Sequence, residues 1–155
     1  MQFRKAISKD AKGIANVLVQ SYNIRDVKEG IAAFKEEVQK KYNYIVAVDK
    51  GKVIGLTTWQ VHGLYKHQLC ELDRIAVLPE YRGKGVSRKL FDALVKAAKA
   101  EYKKNKSKLR KLYLLTHASN KRAHKFYEKL GLKHETTLKS HYYKKEDEWV
   151  YSMFF

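Results

Sequence analysis

Hydrophobic residues change their spacing along this chain, and each change marks an element. Residues 3–7 alternate weakly and predict a first strand. Asp10 stands where a helix cap belongs, ahead of Ile14, Val17 and Leu18, which share one helical face through about Ser21. Ile31, Phe34, Glu37 and Val38 repeat that spacing and predict a second helix over residues 27–41. Residues 43–49 and 53–62 read as strands joined by a turn at Lys50-Gly51, hence a hairpin. Residues 68–77 form a third strong strand pattern, which Pro79 stops. A helix is predicted from Val86 to Lys104, with Leu90, Leu94, Ala97 and Ala98 on one face and Phe91, Val95 and Tyr102 widening it. Residues 111–116 predict a short buried strand. Residues 120–130 predict a helix capped by Asn120 and closed by Gly131. Residues 132–139 and 148–154 predict a closing pair of strands.

The resulting order is β-α-α-β-β-β-α-β-α-β-β. Hairpin strands mixed with crossover helices predict an α/β protein with a mixed sheet and helices on both faces. With a single proline, no repeat and no low-complexity linker, the chain reads as one domain over residues 1–155.

Composition adds limits rather than an identity. At 155 residues and 45% hydrophobic content, a core needs no staples. Cys70 is the only cysteine, so no internal disulfide forms and a reducing cytoplasm is the simplest compartment. The opening MQFRKAISKD lacks the apolar stretch of a secretory signal, and no segment approaches the ~18 apolar residues that span a bilayer. No membrane association is expected. The charge is lopsided, 33 Lys+Arg against 16 Asp+Glu, formally +17. That predicts attraction to polyanions such as nucleic acid, an anionic membrane or a phosphorylated cofactor. Solvated lysine-rich helix faces account for it equally, and lysines scattered through the whole chain weaken the nucleic-acid reading.

PEYRGKGVSRKL, residues 79–90, places Arg82, Lys84, Arg88 and Lys89 around Gly83 and Gly85 at the start of the third helix. A helix N-terminus carries partner-less N–H groups and partial positive charge, and binds anions. The two glycines let a phosphate approach the backbone. Cations in a first helical turn are unfavourable unless an anion is present. A strand, a glycine-rich loop and a helix with four cations read as a pyrophosphate cradle, with a plain glycine turn carrying surface cations as the alternative. It is not a Walker loop, because Val86 follows Gly85 where Lys is required. It is not a Rossmann fingerprint, because Arg88 occupies the place of the third glycine.

With its flanks ELDRIAVLPEYRGKGVSRKL and the later SNKRAHKFYEKLGL, this stretch resembles the GNAT superfamily of acyl-CoA-dependent N-acetyltransferases. That family carries [QR]-x-x-G-x-[GA], here Arg82-Gly83-Lys84-Gly85-Val86-Ser87, with Ser87 departing from Gly/Ala while staying small. The resemblance implies a twisted mixed sheet of about seven strands, with strands four and five splayed around acetyl-CoA as cosubstrate. It implies pyrophosphate binding by the backbone of Arg82, Gly83, Lys84, Gly85, Val86 and Ser87. The pantetheine arm is expected along Ile75, Ala76 and Val77, pairing with the backbone of Ile75 and Val77. Asn120 is expected to contact the cofactor, and Phe126 to pack against it.

Acetyl transfer needs a neutral amine, a polarised thioester carbonyl and a protonated leaving thiolate. A lysine amine, with a pKa of about 10.4, is mostly protonated at neutral pH, so a proton acceptor is required. Glu71 is the first candidate base, since its spacing to Arg82 matches the glutamate of the family's histone-acetylating branch. Asp73, two residues on, and a water chain are the alternatives. Tyr127 is the candidate acid: a phenol of pKa about 10 is protonated at pH 7 and can supply a thiolate whose acid has a pKa of about 8.5. The Val77 N–H is placed to polarise the carbonyl. The six histidines show no zinc-ligand spacing, and no metal is expected. His117, just after the fifth strand, is a weaker candidate for the acceptor side.

The expected activity is direct transfer from acetyl-CoA to a primary amine. A nucleic-acid- or ribosome-associated binding module on the same scaffold is the alternative. Protein N-termini, lysines, polyamines, small amines and aminoglycosides all stay open as acceptors, with Glu29, Glu36, Glu37, Glu71 and Asp73 available to line a polyamine pocket. Monomer and homodimer are both compatible with the resemblance.

Overall fold

The computed structural model describes all 155 residues. Its elements are β1 (Gln2–Lys5), α1 (Ala11–Ser21), α2 (Val27–Gln39), β2 (Asn43–Asp49), β3 (Lys52–Val61), β4 (Leu69–Val77), α3 (Val86–Lys104), β5 (Lys111–His117), α4 (Lys121–Lys129), β6 (Lys133–Tyr143) and β7 (Glu146–Phe154). One seven-stranded sheet runs β1-β2-β3-β4-β5-β7-β6. It is mixed: β4 and β5 are parallel, while β1/β2, β2/β3, β5/β7 and β6/β7 are antiparallel. The β4–β5 ladder has only three pairs, Leu69↔Lys111, Cys70↔Leu112 and Glu71↔Tyr113, although both strands continue past it.

Contacts divide the chain into two compact units. The first comprises Met1–Gln60 and Asp73–Ala100, the second Val61–Leu72 and Glu101–Phe155. In the first, the apolar stripe of α1 (Ile14, Ala15, Val17, Leu18) is fully buried. α2 crosses α1 so closely that a Cβ on Gly30 would lie 2.7 Å from the Cβ of Ala15, and only glycine fits there. The α3 stripe of Leu90, Leu94 and Ala98 is likewise completely buried. In the second unit, Tyr102 is sealed in the core and donates its hydroxyl to the Leu69 carbonyl.

Four local expectations are corrected. Asp10 does not cap α1. Its carboxylate takes the Ile7 N–H at 2.8 Å and two bonds from Arg4, closing the short 3-10 turn Ser8–Asp10 that precedes the helix. The cation on β1 competes for the carboxylate more strongly than the helix end does. Val38 keeps helical spacing but is 46% exposed, because α2 buries only a narrow stripe around Gly30 and Phe34. β5 is not uniformly buried: Leu112, Leu114 and Thr116 point inward, while Tyr113 and Leu115 are half-buried and His117 exposed. The closing strands are longer than expected, β6 reaching Tyr143 and β7 starting at Glu146.

Candidate functional site

In the first unit, β4 runs into the 3-10 turn Pro79–Tyr81 and then into the glycine loop. Gly83 and Gly85 have φ of +74° and +76°, a region that other L-residues enter only with strain. A Cβ built at either would meet nothing within 4 Å, so neither glycine is there for packing. Val86, 2% exposed, anchors the start of α3. The first helical bond closed from this loop is Lys89 N–H to Gly85 C=O, at 3.2 Å. The N–H groups of Val86 and Ser87 lie ahead of it, where a helix offers no carbonyl. Arg82, Lys84, Arg88 and Lys89 are exposed around them. Arg82 also ties the loop to its strand, donating Nε–H to the Val77 carbonyl at 3.0 Å. Lys84 rests over the Tyr81 ring, 5.4 Å from its centroid.

Further back on β4, the Tyr22 hydroxyl at the end of α1 accepts from the Ile75 N–H at 3.1 Å and donates to the Ile75 carbonyl at 3.2 Å. Desolvation pushes the Tyr22 phenol up to about 12. The backbone expected to pair with pantetheine thus already has partners: Tyr22 at Ile75, and Arg82 at the Val77 carbonyl. Arg74 donates to both carboxylate oxygens of Glu37 on α2, and Glu37 also accepts from the Tyr44 hydroxyl at 3.2 Å. Desolvation raises the Tyr44 phenol well above its ordinary value, with Glu37 adding to the shift. Asp73 accepts from Gln60 Nε2 at 3.0 Å. Of the other carboxylates expected near an acceptor, Glu29 pairs with Arg25 and Glu36 with Lys40.

In the second unit, Glu71 has 19% of its side chain exposed. The Tyr113 hydroxyl donates to Glu71 Oε2 at 3.0 Å and lies 3.0 Å from His62 Nδ1. Register explains the contact, because Glu71 and Tyr113 face each other in the last pair of the β4–β5 ladder. Asn120 caps α4, its Oδ1 accepting the Ala123 N–H at 3.1 Å. That leaves the amide N–H groups outside the cap. Tyr127 is 8% exposed, with Phe126 beside it at 5.4 Å between ring centroids and Tyr151 at 5.9 Å. His117 is held through Nδ1 by the buried carboxylate of Glu148, at 2.5 Å.

Glu71 and Asp73 therefore have separate partners, Tyr113 with His62 for one and Gln60 for the other. Sequence reasoning missed Tyr113, Tyr22 and Arg74. Tyr113 is 42 residues from Glu71 and Tyr22 is 53 from Ile75, so no local pattern joins them. Strand register alone could have found Tyr113.

Comparison with known proteins follows the same lines. The model of the acetyltransferase (GNAT) family matches residues 11–132. The chain is 32% identical over 127 residues to an N-alpha-acetyltransferase of Saccharolobus solfataricus, covering 76% of this chain and 73% of that one. Its fold matches the ribosomal-protein-alanine N-acetyltransferase of Brucella melitensis, with a TM-score of 0.77 and 17% identity over 100% of both chains. It also matches an aminoglycoside 6'-N-acetyltransferase in complex with coenzyme A, with a TM-score of 0.81 and 15% identity over 99% of this chain and 97% of the other. No helix is long and apolar enough to cross a membrane.

Proposed function

The chain belongs to the GNAT family of acetyltransferases, which use acetyl-CoA to acetylate amines, and we propose that its acceptor is the α-amine of a protein or peptide N-terminus. The observation that carries this acceptor is the 32% identity to the Saccharolobus N-alpha-acetyltransferase over most of both chains. Two physical arguments support it. Three of the five carboxylates available to a polyamine, Glu29, Glu36 and Glu37, are engaged by Arg25, Lys40 and Arg74. An α-amine, with a pKa of about 7.7–8.0, is also a far easier nucleophile than a lysine at about 10.4, by two to three decades in neutral fraction at pH 7.5. A single carboxylate then suffices as proton acceptor.

In this reading all 155 residues form one catalytic domain. The backbone from Arg82 to Ser87 cradles the pyrophosphate, and the four cations of the loop offset its charge. Ile75, Ala76 and Val77 border the acyl arm, which takes over the Ile75 backbone when the Tyr22 hydroxyl moves aside. Asn120 turns its amide to the arm, and Phe126 packs against it. Glu71 accepts a proton from the ammonium form of the acceptor. The neutral amine attacks the thioester carbonyl, forming C–N; the C–S bond then breaks. Tyr127 gives its proton to the leaving thiolate and regains one from the acylated nitrogen. One proton is released overall, and it is the one Glu71 holds. Asp73, bonded to Gln60, is a substrate contact. A cytoplasmic location fits the single thiol, which is buried.

Basic charge does not favour a nucleic-acid module. The first unit has 18 basic against 9 acidic residues and the second 15 against 7, so the excess is spread rather than gathered. Glu71→Gln and Tyr127→Phe test the assignment through steady-state kinetics and acetyl-CoA titration. Each is expected to lower kcat on a peptide N-terminus by about 10²–10⁴ with little change in cofactor affinity. Full activity of both variants would remove these residues from the chemistry.

A further inference from the structure

We propose that Tyr113 and His62 carry the proton from Glu71 to bulk water, so that a side-chain relay resets the base after each turnover. The proposal rests on the reading of Glu71 as the base. A carboxylate with only 19% of its side chain exposed exchanges protons with solvent through few routes, and here one leads outward through protein atoms. Glu71 Oε2, Tyr113 Oη and His62 Nδ1 are linked by two contacts of 3.0 Å. The direct distance from His62 Nδ1 to Glu71 Oε2 is 3.6 Å, too long for a hydrogen bond, so the hydroxyl is the necessary bridge. His62 has 54% of its side chain exposed, which puts the far end of the chain in water.

The elements hold this line in place. Glu71 and Tyr113 are fixed opposite each other by the last pair of the β4–β5 ladder. The His62 backbone N–H bonds the Leu69 carbonyl at 2.9 Å, and its ring meets the Tyr113 ring edge-on at 5.6 Å and 80°. A tyrosine hydroxyl has one hydrogen and can accept as well as donate. With Glu71 ionised, that hydrogen points to the carboxylate, as in this structure. Once Glu71 has taken the amine proton, the carboxylic acid donates to Tyr113 Oη and the tyrosine hydrogen turns to His62 Nδ1, which accepts it in the tautomer that carries its hydrogen on Nε2. Transfer along both bonds regenerates the carboxylate and the neutral phenol and leaves an imidazolium. Imidazole is the side chain suited to passing a proton to water near neutral pH. One proton enters from the ammonium and one leaves at His62; no charge accumulates.

Tyr113 and His62 are positioning residues here, and a structural role for them is separable from a relay by chemical rescue. The experiment measures kcat at saturating acetyl-CoA and peptide, in weakly buffered solution and then with added imidazole, for the wild type, His62→Ala, Tyr113→Phe and Glu71→Gln. His62→Ala is expected to lose on the order of tenfold in kcat, less than direct removal of a base, with KM for acetyl-CoA unchanged. Added imidazole should restore it. Tyr113→Phe keeps the ring but breaks the bridge; it should lose a similar factor and gain nothing from imidazole. Wild-type kcat for His62→Ala in weak buffer, or a loss that imidazole leaves untouched, overturns the relay. If Glu71→Gln is inactive while His62→Ala is normal, the relay alone fails. If Glu71→Gln is itself fully active, the base assignment fails first.

Discussion

Replacing Gly85 by alanine separates the two reasons a glycine can stand at the head of α3. Its φ is +76° and a Cβ there meets nothing within 4 Å, so the substitution creates no clash in the free protein. The cost is confined to the backbone, about 1–2 kcal/mol for an L-residue held in the left-handed region. For a chain of this length that lowers Tm by about 2–8 °C. Cofactor binding should suffer more if the loop is the proposed phosphate cradle, because the methyl group would then stand where a phosphate approaches the N–H groups of Val86 and Ser87. Losing one charge-assisted hydrogen bond removes about 1.5–3 kcal/mol, or about 10- to 150-fold in Kd for CoA. Gly51 supplies the control: it too has positive φ, +78°, and open space around a Cβ, but it sits in the β2–β3 turn. Gly51→Ala should reproduce the Tm loss and leave Kd unchanged. The assay is thermal melting alongside isothermal titration with CoA. Equal Kd values for Gly85→Ala, Gly51→Ala and the wild type would refute the cradle, because the loop would then be strained for reasons unrelated to phosphate.

Three further outcomes follow from the packing. Arg74→Met strands the Glu37 carboxylate beside Tyr44 and should cost about 3 kcal/mol in urea unfolding, most of it recovered by adding Glu37→Leu; a loss under 0.5 kcal/mol would show the pair to be a solvated one. Tyr22→Phe removes the hydroxyl that holds Ile75, so stability should fall by about 1 kcal/mol while acetyl-CoA binds more tightly; weaker binding would mean that the hydroxyl assists the cofactor. Burial raises the phenols of Tyr44, Tyr102 and Tyr151, the last to about 12. A raised folded-state value means that the stabilisation is complete below about 10, the unfolded value, and lost as pH climbs through the folded values. The tyrosinate absorbance of these phenols, read by difference from their Tyr→Phe variants because Tyr142 and Tyr143 are exposed, should therefore change together with far-UV circular dichroism in that alkaline window, and ionisation of these phenols in a fully folded protein would contradict the burial.

Legibility from sequence followed the strength of the pattern. The patterns over Val86–Lys104 and Asn43–Asp49 predict the observed bounds, because a wide apolar stripe and a β-branched run each leave one reading. β6 was foreshortened because it is exposed along nearly its whole length and offers no alternation to count. Asp10 reads as a helix cap from its local sequence, but Arg4, six residues back, competes for it. The phosphate loop was readable because its chemistry is local: two glycines, four cations and a helix start lie within ten residues. The proposed proton path is not, since Glu71 and Tyr113 meet through the register of β4 and β5, and His62 joins them from the end of β3.

A competition among amines decides which acceptor the enzyme prefers. The protein is given acetyl-CoA and an equimolar mixture of peptides with free N-termini and no lysine, N-terminally blocked peptides with one internal lysine, and spermidine. Mass spectrometry then locates the acetyl group. Acetylation should fall on the free α-amines in preference to the other acceptors, and Glu71→Gln should slow it by about 10²–10⁴. Preferential acetylation of lysine or spermidine, with the free N-termini unmodified, would contradict the proposed acceptor.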